Sequence, residues 1–189
     1  MRIDSEFVTI LTERLLLRRS RPDDAEAISA YRSDPEVHRH QGWDRLDPDG
    51  IRAEIERMAD RLPGEPGGWV QLSVEERDTG RLVGDVGMSP AEDEPTTMKL
   101  GYTMSPAFQG RGYATEAVRA LIDYAFRTLG AEVTRIYASA ENVPSIRVAE
   151  KAGMRLVETF EREYDGEMWQ GVRYERRREG EGNGTTMPV

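Results

Sequence analysis

The segment from Gly101 to Ala117 constrains the fold of this chain more than any other part of the sequence. It reads as a strand, a turn at Pro106, a glycine-rich loop and the start of the most regular amphipathic helix. Gly110 and Gly112 keep side chains out of the loop, so successive backbone N–H groups can face one anion above the positive end of the helix dipole. The segment therefore predicts a pyrophosphate cradle, with a loop that only permits a tight turn as the alternative.

The same loop excludes two common phosphate-binding patterns. A Walker loop needs lysine followed by serine or threonine after its last glycine, and here Tyr113 follows Gly112. The glycine spacing also differs from that of the dinucleotide-binding fingerprint. A nucleotide-binding protein of either type is therefore disfavoured.

The apolar periodicity of the chain predicts a mixed sheet with helices packed on it, in the order β-α-α-β-β-β-α-β-α-β-β. The predicted strands cover residues 12–19, 70–74, 82–88, 96–104, 133–138, 155–159 and 168–174. The predicted helices begin near residues 22, 48, 114 and 144, and they end near residues 35, 62, 129 and 152. The predicted fold class is α/β, in the sense of a mixed α+β sheet of about seven strands with about four helices.

Length and cysteine content limit the possible classes of protein. A chain of 189 residues fits one domain, which we assign to residues 1–179, while the glycine-rich segment 180–189 is predicted to be a disordered tail. The absence of cysteine excludes disulfides, thiolate nucleophiles and cysteine zinc sites. His38 and His40 alone cannot supply an ordinary zinc site, so we expect no metal.

The formal net charge of −9 bears on the partners of the protein. It disfavours nonspecific binding to nucleic acid and to anionic membranes, and it favours cationic small molecules or basic peptides. The N-terminal residues lack the apolar run of a signal peptide, and no segment approaches membrane-spanning length. A cytoplasmic location is the default expectation.

Three motifs in the chain occur together in one known family. The segment from Gln109 to Ala114 resembles the Q/R-x-x-G-x-G/A signature of the GNAT superfamily of acetyl-CoA-dependent N-acetyltransferases. Its flanks are similar to the RimJ/RimL branch, the ribosomal-protein N-terminal acetyltransferases. The matching residues are Thr12-Glu13-Arg14-Leu15-Leu16-Leu17-Arg18, Gly101-Tyr102, and Asn142, Ser145, Val148, Lys151, Gly153 and Met154. The resemblance spans roughly residues 10 to 175 and implies a GNAT-like, mostly antiparallel twisted sheet that is splayed at the cofactor site.

The resemblance implies a binding site for acetyl-CoA. Its pantetheine arm would enter a gap between the strand carrying Tyr102, Thr103 and Met104 and the strand at 133–138. Its pyrophosphate would be held by the loop residues Gln109, Gly110, Arg111, Gly112, Tyr113, Ala114 and Thr115. The Arg111 side chain would contact the phosphates or, equally well, extend into solvent. Asn142 would bond a pantetheine amide, and it can also cap a helix.

The resemblance also implies the chemistry. The acetyl group would pass directly to a primary amine in a ternary complex, and the backbone N–H of Met104 is the candidate donor to the developing oxyanion. Ser145 is the candidate acid for the departing thiolate, with a purely structural role in the first helical turn as the alternative. Ala149 stands where many members of the family carry a tyrosine for this purpose.

The general base and the acceptor are left open by the sequence. Lys99 stands where the branch often has a glutamate, and the candidates for the base are Asp85, His38, His40, the acidic loop at residues 92–94, or water. Tyr31 and Trp43 are candidates for shaping an acceptor pocket. Three kinds of acceptor amine fit the negative net charge equally well: a basic peptide N-terminus, a polyamine and an aminoglycoside-like amine. A homodimer is common in the family, and a non-catalytic acyl-CoA-binding module is the alternative function.

Overall fold

A computed structural model describes residues 1–41, 47–164 and 167–179, with the side chains of residues 164–167 excepted. Trp43 and the predicted tail at residues 180–189 lie outside the described residues. The described strands are β1 Thr9–Leu11, β2 Leu15–Arg19, β3 Val70–Glu76, β4 Leu82–Pro90, β5 Thr97–Met104, β6 Val133–Ser139, β7 Arg155–Tyr164 and β8 Glu167–Arg177. The described helices are α1 Ala25–Arg32, α2 Pro35–His38, α3 Pro48–Met58, α4 Tyr113–Arg127 and α5 Val143–Lys151, with 3₁₀ turns at Pro22–Asp24 and Pro106–Phe108.

These strands form one open sheet in the order β1-β2-β3-β4-β5-β6-β8-β7. Every neighbouring pair is antiparallel except β5 and β6, which are parallel. The predicted mixed, mostly antiparallel sheet is therefore confirmed, with eight described strands where about seven were expected. Of the five described helices, α2 is a single turn, so four longer helices agree with the prediction.

Two boundaries predicted from the sequence were wrong. The predicted strand at 12–19 begins only at Leu15, because residues 12–14 form the turn of a hairpin between β1 and β2, in which the Thr12 hydroxyl accepts the N–H of Leu15 at 2.9 Å. The chain also continues in helix after Asp34, where α2 was missed. Pro35 suits the first helical position, and the Asp34 carboxylate accepts the N–H of Glu36 at 2.9 Å, so these residues start a helix as well as end one.

The two faces of the sheet carry different helices. On one face α4 covers the main core, in which Val86 and Met88 of β4 are nearly inaccessible to solvent. On the other face α1 packs with α3, and Tyr31 of α1 bonds Asp85 of β4. Neighbouring residues of a strand point to opposite faces, which explains how Asp85 and Val86 serve different layers. None of the described helices is long and apolar enough to cross a membrane.

The ladder between β5 and β6 is short. It contains only the pairs Thr97↔Val133, Met98↔Thr134 and Lys99↔Arg135. Beyond this point β5 continues beside β4 as far as Gly84↔Met104, while β6 continues beside β8 as far as Ser139↔Gly171. The two strands therefore diverge, and the sheet is open at its centre.

Candidate functional site

A cavity of about 680 Å³ occupies the opening between β5 and β6. It is lined by the ends of both strands, the loop before α4, the first turns of α4 and α5, and part of residues 36–41. All of the predicted cofactor residues except Arg111 line it. They are Tyr102, Thr103, Met104, Gln109, Gly110, Gly112, Tyr113, Ala114, Thr115, Asn142 and Ser145. The structure thus brings together residues that lie more than forty positions apart in the chain.

The edge of β5 that faces the opening carries backbone groups with no strand partner among the described residues. The N–H of Ser105 donates to Val83 of β4 at 3.0 Å, whereas the carbonyl of Thr96 accepts from Val133 of β6 at 3.2 Å. Because successive residues of a strand direct their backbone groups to opposite edges, odd positions of β5 face β4 and even positions face the opening. Tyr102 therefore presents its N–H and C=O groups to the cavity and Met104 presents its N–H, while the Met104 carbonyl accepts the Gln109 side-chain amide.

The loop before α4 is shaped by two glycines. Gly110 and Gly112 have φ angles of 74° and 82°, a conformation that L-residues with side chains rarely adopt. The first hydrogen bond of α4 runs from the N–H of Glu116 to the carbonyl of Gly112 at 3.0 Å. The preceding amides of Tyr113, Ala114 and Thr115 consequently have no carbonyl partner within the helix, and they lie at its positive end. An anion such as a pyrophosphate fits this arrangement.

Side chains of the loop fix its position against β5. The side-chain amide of Gln109 donates to the carbonyl of Met104 at 3.1 Å. The Phe108 ring lies between two guanidinium groups, those of Arg81 at 5.0 Å and Arg111 at 5.2 Å. Arg111 therefore rests on Phe108 and is the one predicted cofactor residue whose side chain is outside the cavity lining.

Tyr113 anchors the start of α4 to the end of β3. Its hydroxyl donates a short hydrogen bond to Glu76, which also accepts from Thr79 and Arg81. These hydrogen bonds, led by that from Thr79, lower the pKa of Glu76 to about 2. The bond to the ionised Glu76 raises the pKa of Tyr113. The Tyr113 side chain is thus engaged in structure, while its backbone amide faces the site.

Tyr102 reaches across the opening to α5. Its hydroxyl donates to the carbonyl of Ser145 at 2.9 Å and lies 2.7 Å from the Ser145 Oγ. Burial raises the pKa of Tyr102 to about 12, although the hydrogen bond with Ser145 opposes this shift. Since the tyrosine proton is directed to a carbonyl, its oxygen is free to accept the proton of the Ser145 hydroxyl. The sequence motif contains both residues, but their spacing along the chain gives no sign of this contact.

Asn142 caps α5 with its side-chain oxygen, and this leaves its side-chain nitrogen for other hydrogen bonds. Its side-chain oxygen accepts the N–H of Ser145 at 3.1 Å. The side-chain nitrogen carries two further N–H groups, and Asn142 is one of the residues that line the cavity. The structural and the ligand-binding interpretations of this residue are therefore compatible.

Asp85 is buried in a network that holds α1 on the sheet. The carboxylate accepts the Tyr31 hydroxyl at 2.5 Å, pairs with Arg32 at 3.0 Å, and accepts a short bond from Gln71. Only 1% of Asp85 is exposed, and it lies outside the lining of the cavity. Burial, together with the adjacent carboxylate, raises the pKa of Tyr31 well above its ordinary value. This geometry favours structural roles for Asp85 and Tyr31.

The remaining candidates for the base differ in position. His40 lines the cavity, and its Nε2 accepts from the Arg39 Nε at 3.1 Å. Burial and the neighbouring Arg39 charge lower the pKa of His40. The His38 Nε2 is buried with no partner among the described residues. In the acidic loop, Glu94 pairs with Arg135 at 2.8 Å, which lowers the pKa of Glu94.

Known proteins resemble this chain in sequence. A family model described as an acetyltransferase (GNAT) domain matches residues 14–155. The uncharacterised N-acetyltransferase p20 of Bacillus licheniformis is 29% identical over 177 residues, covering 84% of this chain and 99% of that protein.

Solved structures share the fold. An acetyltransferase of the GNAT family from Bacillus anthracis has a TM-score of 0.80 and 26% identity, covering 90% of this chain and 98% of that one. RimL, a ribosomal L7/L12 α-N-protein acetyltransferase in complex with coenzyme A, has a TM-score of 0.76 and 17% identity, covering 89% of this chain and 97% of that one. At that identity the second likeness concerns the fold alone.

Proposed function

Because this chain belongs to the GNAT acetyltransferase family, whose members use acetyl-CoA, we propose that it transfers the acetyl group of acetyl-CoA to a primary amine by direct attack in a ternary complex. The observation that carries the proposal is the continuity of the cavity. The opening beside Tyr102 and Met104 leads directly to the free amides at the start of α4. A long, extended ligand with an anionic group at one end fits this shape.

Different residues of the cavity would bind different parts of acetyl-CoA. The backbone groups of Tyr102 and Met104 would pair with the pantetheine arm, and the Asn142 side-chain N–H groups would bond one of its carbonyls. The amides from Gly110 to Thr115 would hold the pyrophosphate. Bound in this way, acetyl-CoA supplies an activated thioester at the centre of the sheet.

Two groups of the chain would assist the chemistry at that point. The N–H of Met104 would donate to the thioester oxygen as negative charge develops there. The Ser145 hydroxyl would turn its proton from the Tyr102 oxygen to the departing sulfur, and the Tyr102 hydroxyl would then turn from the Ser145 carbonyl to donate to the Ser145 Oγ. The chain has no cysteine, so a cysteine-bound acetyl intermediate is impossible and sequential kinetics are expected.

The acceptor must lose a proton to become nucleophilic. His40 is our candidate for accepting it, directly or through water, because it lines the cavity and its lowered pKa keeps the imidazole neutral at neutral pH. To accept the proton, its Nε2 would release the hydrogen bond from the Arg39 Nε. For the acceptor we propose the amine of a basic peptide N-terminus, as in the RimJ/RimL branch. The resemblance of residues 12–18 and 142–154 to that branch supports this choice, and the net charge of −9 is compatible with any cationic acceptor.

A free-thiol assay of CoA release tests the proposal. Purified protein is incubated with acetyl-CoA and, separately, with basic peptides, polyamines and aminoglycosides. Release that depends on a peptide with a free N-terminus, and that disappears when this N-terminus is blocked, is the expected result. Release with polyamines or aminoglycosides alone would retain the transferase and replace the acceptor, whereas calorimetry showing no binding of acetyl-CoA would overturn the proposal. The homodimer stays a prediction that sedimentation measurements would check.

A further inference from the structure

One carboxylate in the first turn of α4 collects contacts from the turn between β1 and β2. Glu116 accepts the Thr12 hydroxyl at 2.6 Å, the backbone N–H of Arg14 at 2.8 Å and the Arg14 Nε at 2.7 Å. The Arg14 Nη2 lies 2.6 Å from the same carboxylate. Glu116 is the only acid in the first turn of α4, and it is bound by residues about one hundred positions earlier in the chain.

The same arginine also contacts the loop. The Arg14 Nη1 donates to the carbonyl of Arg111 at 3.0 Å, and its guanidinium lies 4.7 Å from the centre of the Tyr113 ring. A Cβ atom added to Gly112 would lie 3.4 Å from the Arg14 Nη2. One guanidinium therefore contacts both Arg111 and Tyr113, on either side of Gly112. Thr12, Arg14 and Glu116 themselves lie outside the lining of the cavity between β5 and β6, so they approach the loop from its outer side.

This arrangement has two effects on the free amides of the loop. It fixes the carbonyl of Arg111 and the first turn of α4, which keeps the following N–H groups directed at one point before any ligand arrives. It also neutralises Glu116, whose negative charge near the start of α4 would otherwise repel a pyrophosphate at the same helix end. Although burial opposes it, the hydrogen bonds from Thr12 and Arg14 lower the pKa of Glu116.

We propose that Thr12, Arg14 and Glu116 form a positioning clamp that pre-organises the loop at residues 110–115 for the pyrophosphate of acetyl-CoA. This inference rests on the proposed function of the cavity. It assigns a role to the motif at residues 12–14, which lies far from the loop in sequence. None of the three residues contacts the reacting atoms, and the clamp acts only through the loop.

Comparing two acetyl donors separates the clamp from a general effect on folding. Acetyl-CoA and S-acetylpantetheine carry the same thioester, but only the first has a pyrophosphate. In Arg14→Ala we expect KM for acetyl-CoA to rise about ten- to a hundredfold with kcat little changed, as for lost charge-assisted hydrogen bonds. The value of kcat/KM for S-acetylpantetheine should stay within about twofold of wild type. Arg14→Lys should recover only part of the loss, because lysine keeps the charge without the forked geometry.

Arg77→Ala is the matched control. Arg77 supports the same turn by donating to the carbonyls of Thr12 and Glu13 at 2.7 and 3.0 Å, but it bonds neither Glu116 nor the loop. It should therefore leave the preference for acetyl-CoA over S-acetylpantetheine unchanged. Equal losses with both donors in Arg14→Ala, or an unchanged KM for acetyl-CoA, would overturn the clamp.

Binding gives a readout that does not depend on the acceptor. Calorimetry with CoA should show weaker binding to Arg14→Ala, which loosens the loop and exposes the Glu116 charge, and a smaller loss in Glu116→Gln, which loosens the loop but removes that charge. The two losses should not add in the double variant. If Arg14→Ala does not fold, Arg14→Lys and Glu116→Gln provide the same comparison. If the wild type binds CoA and both variants bind it with the wild-type affinity, the clamp is refuted and the proposed function is left intact. Wild-type protein that does not bind CoA would overturn the proposed function itself.

Discussion

The Tyr102 hydroxyl lies 2.7 Å from the Ser145 Oγ, so a strand on one side of the central opening is bonded to a helix on the other. We expect Ser145→Ala to lower kcat about a hundredfold with little change in KM for acetyl-CoA, as for loss of a general acid. Tyr102→Phe should cause a smaller loss, and the double variant should be no worse than Ser145→Ala. Steady-state kinetics check this. An unaffected kcat in Ser145→Ala would leave only a role in the helix turn.

Gly112→Asp should abolish binding of CoA. The substitution introduces a side chain at a φ of 82°, and its Cβ would lie 3.4 Å from the Arg14 Nη2, so it strains the loop backbone and draws the Arg14 guanidinium away from the contacts that hold the loop. Gly80→Asp is the matched control, because Gly80 has a φ of 69° with nothing within 4 Å of an added Cβ, and it lies in the turn before β4. Calorimetry should show binding to the control alone. Equal affinity for CoA in both variants would remove the pyrophosphate site from this loop.

Asp85→Asn should destabilise the protein without changing the pH dependence of catalysis. Asp85 is 1% exposed and pairs with Arg32, and removing one partner of a buried ion pair costs about 3–5 kcal/mol. Urea unfolding measures this loss in the free energy of unfolding. Loss of the acid limb of the pH–rate profile in the folded variant would identify Asp85 as the base and would contradict its structural role.

His40→Gln should alter that acid limb. The pKa of His40 is lowered by burial and by Arg39, so the imidazole is neutral and able to accept a proton above this lowered pKa. Activity of the wild type should then fall as the pH drops through the pKa of His40, and in the variant this dependence should disappear with a lower plateau. Profiles of kcat/KM against pH provide the measurement. An unchanged profile would indicate that the proton leaves directly to solvent.

Glu76 should make the stability of the protein depend on pH in the acid range. Its pKa is about 2 in the folded state, below the ordinary value of 4.5, so its contribution is complete above about pH 4.5 and is lost as the pH falls toward 2. Wild-type Tm should exceed that of Glu76→Gln at neutral pH, and the difference should shrink over this window. Glu13→Gln, at an exposed position, should show no such window.

The sequence predicted the elements around the site because each has a local signal. The apolar stripe of α4, the glycines at 110 and 112 and the asparagine before α5 were all visible as patterns of residues. The hairpin at residues 12–14 was missed because its turn is held by Glu116, about one hundred residues away. Tyr102 and Ser145 were placed in the site by resemblance, but their contact depends on how far β5 and α5 are separated, and periodicity carries no such distance.

The short ladder between β5 and β6 means that the two halves of the sheet share strand hydrogen bonds at only three described residue pairs, although one core under α4 underlies both halves. Arg135 stands at the last paired position, where its guanidinium holds Glu175 of the neighbouring strand and Glu94 from the loop before β5. A ligand lying in the opening would add hydrogen bonds between β5 and β6 beyond the point where their own ladder ends. The hydrogen bonds that bind the ligand would then also connect the two halves of the sheet. Slower amide hydrogen exchange at the facing edges of β5 and β6 would therefore report ligand binding even where no catalytic turnover is measured.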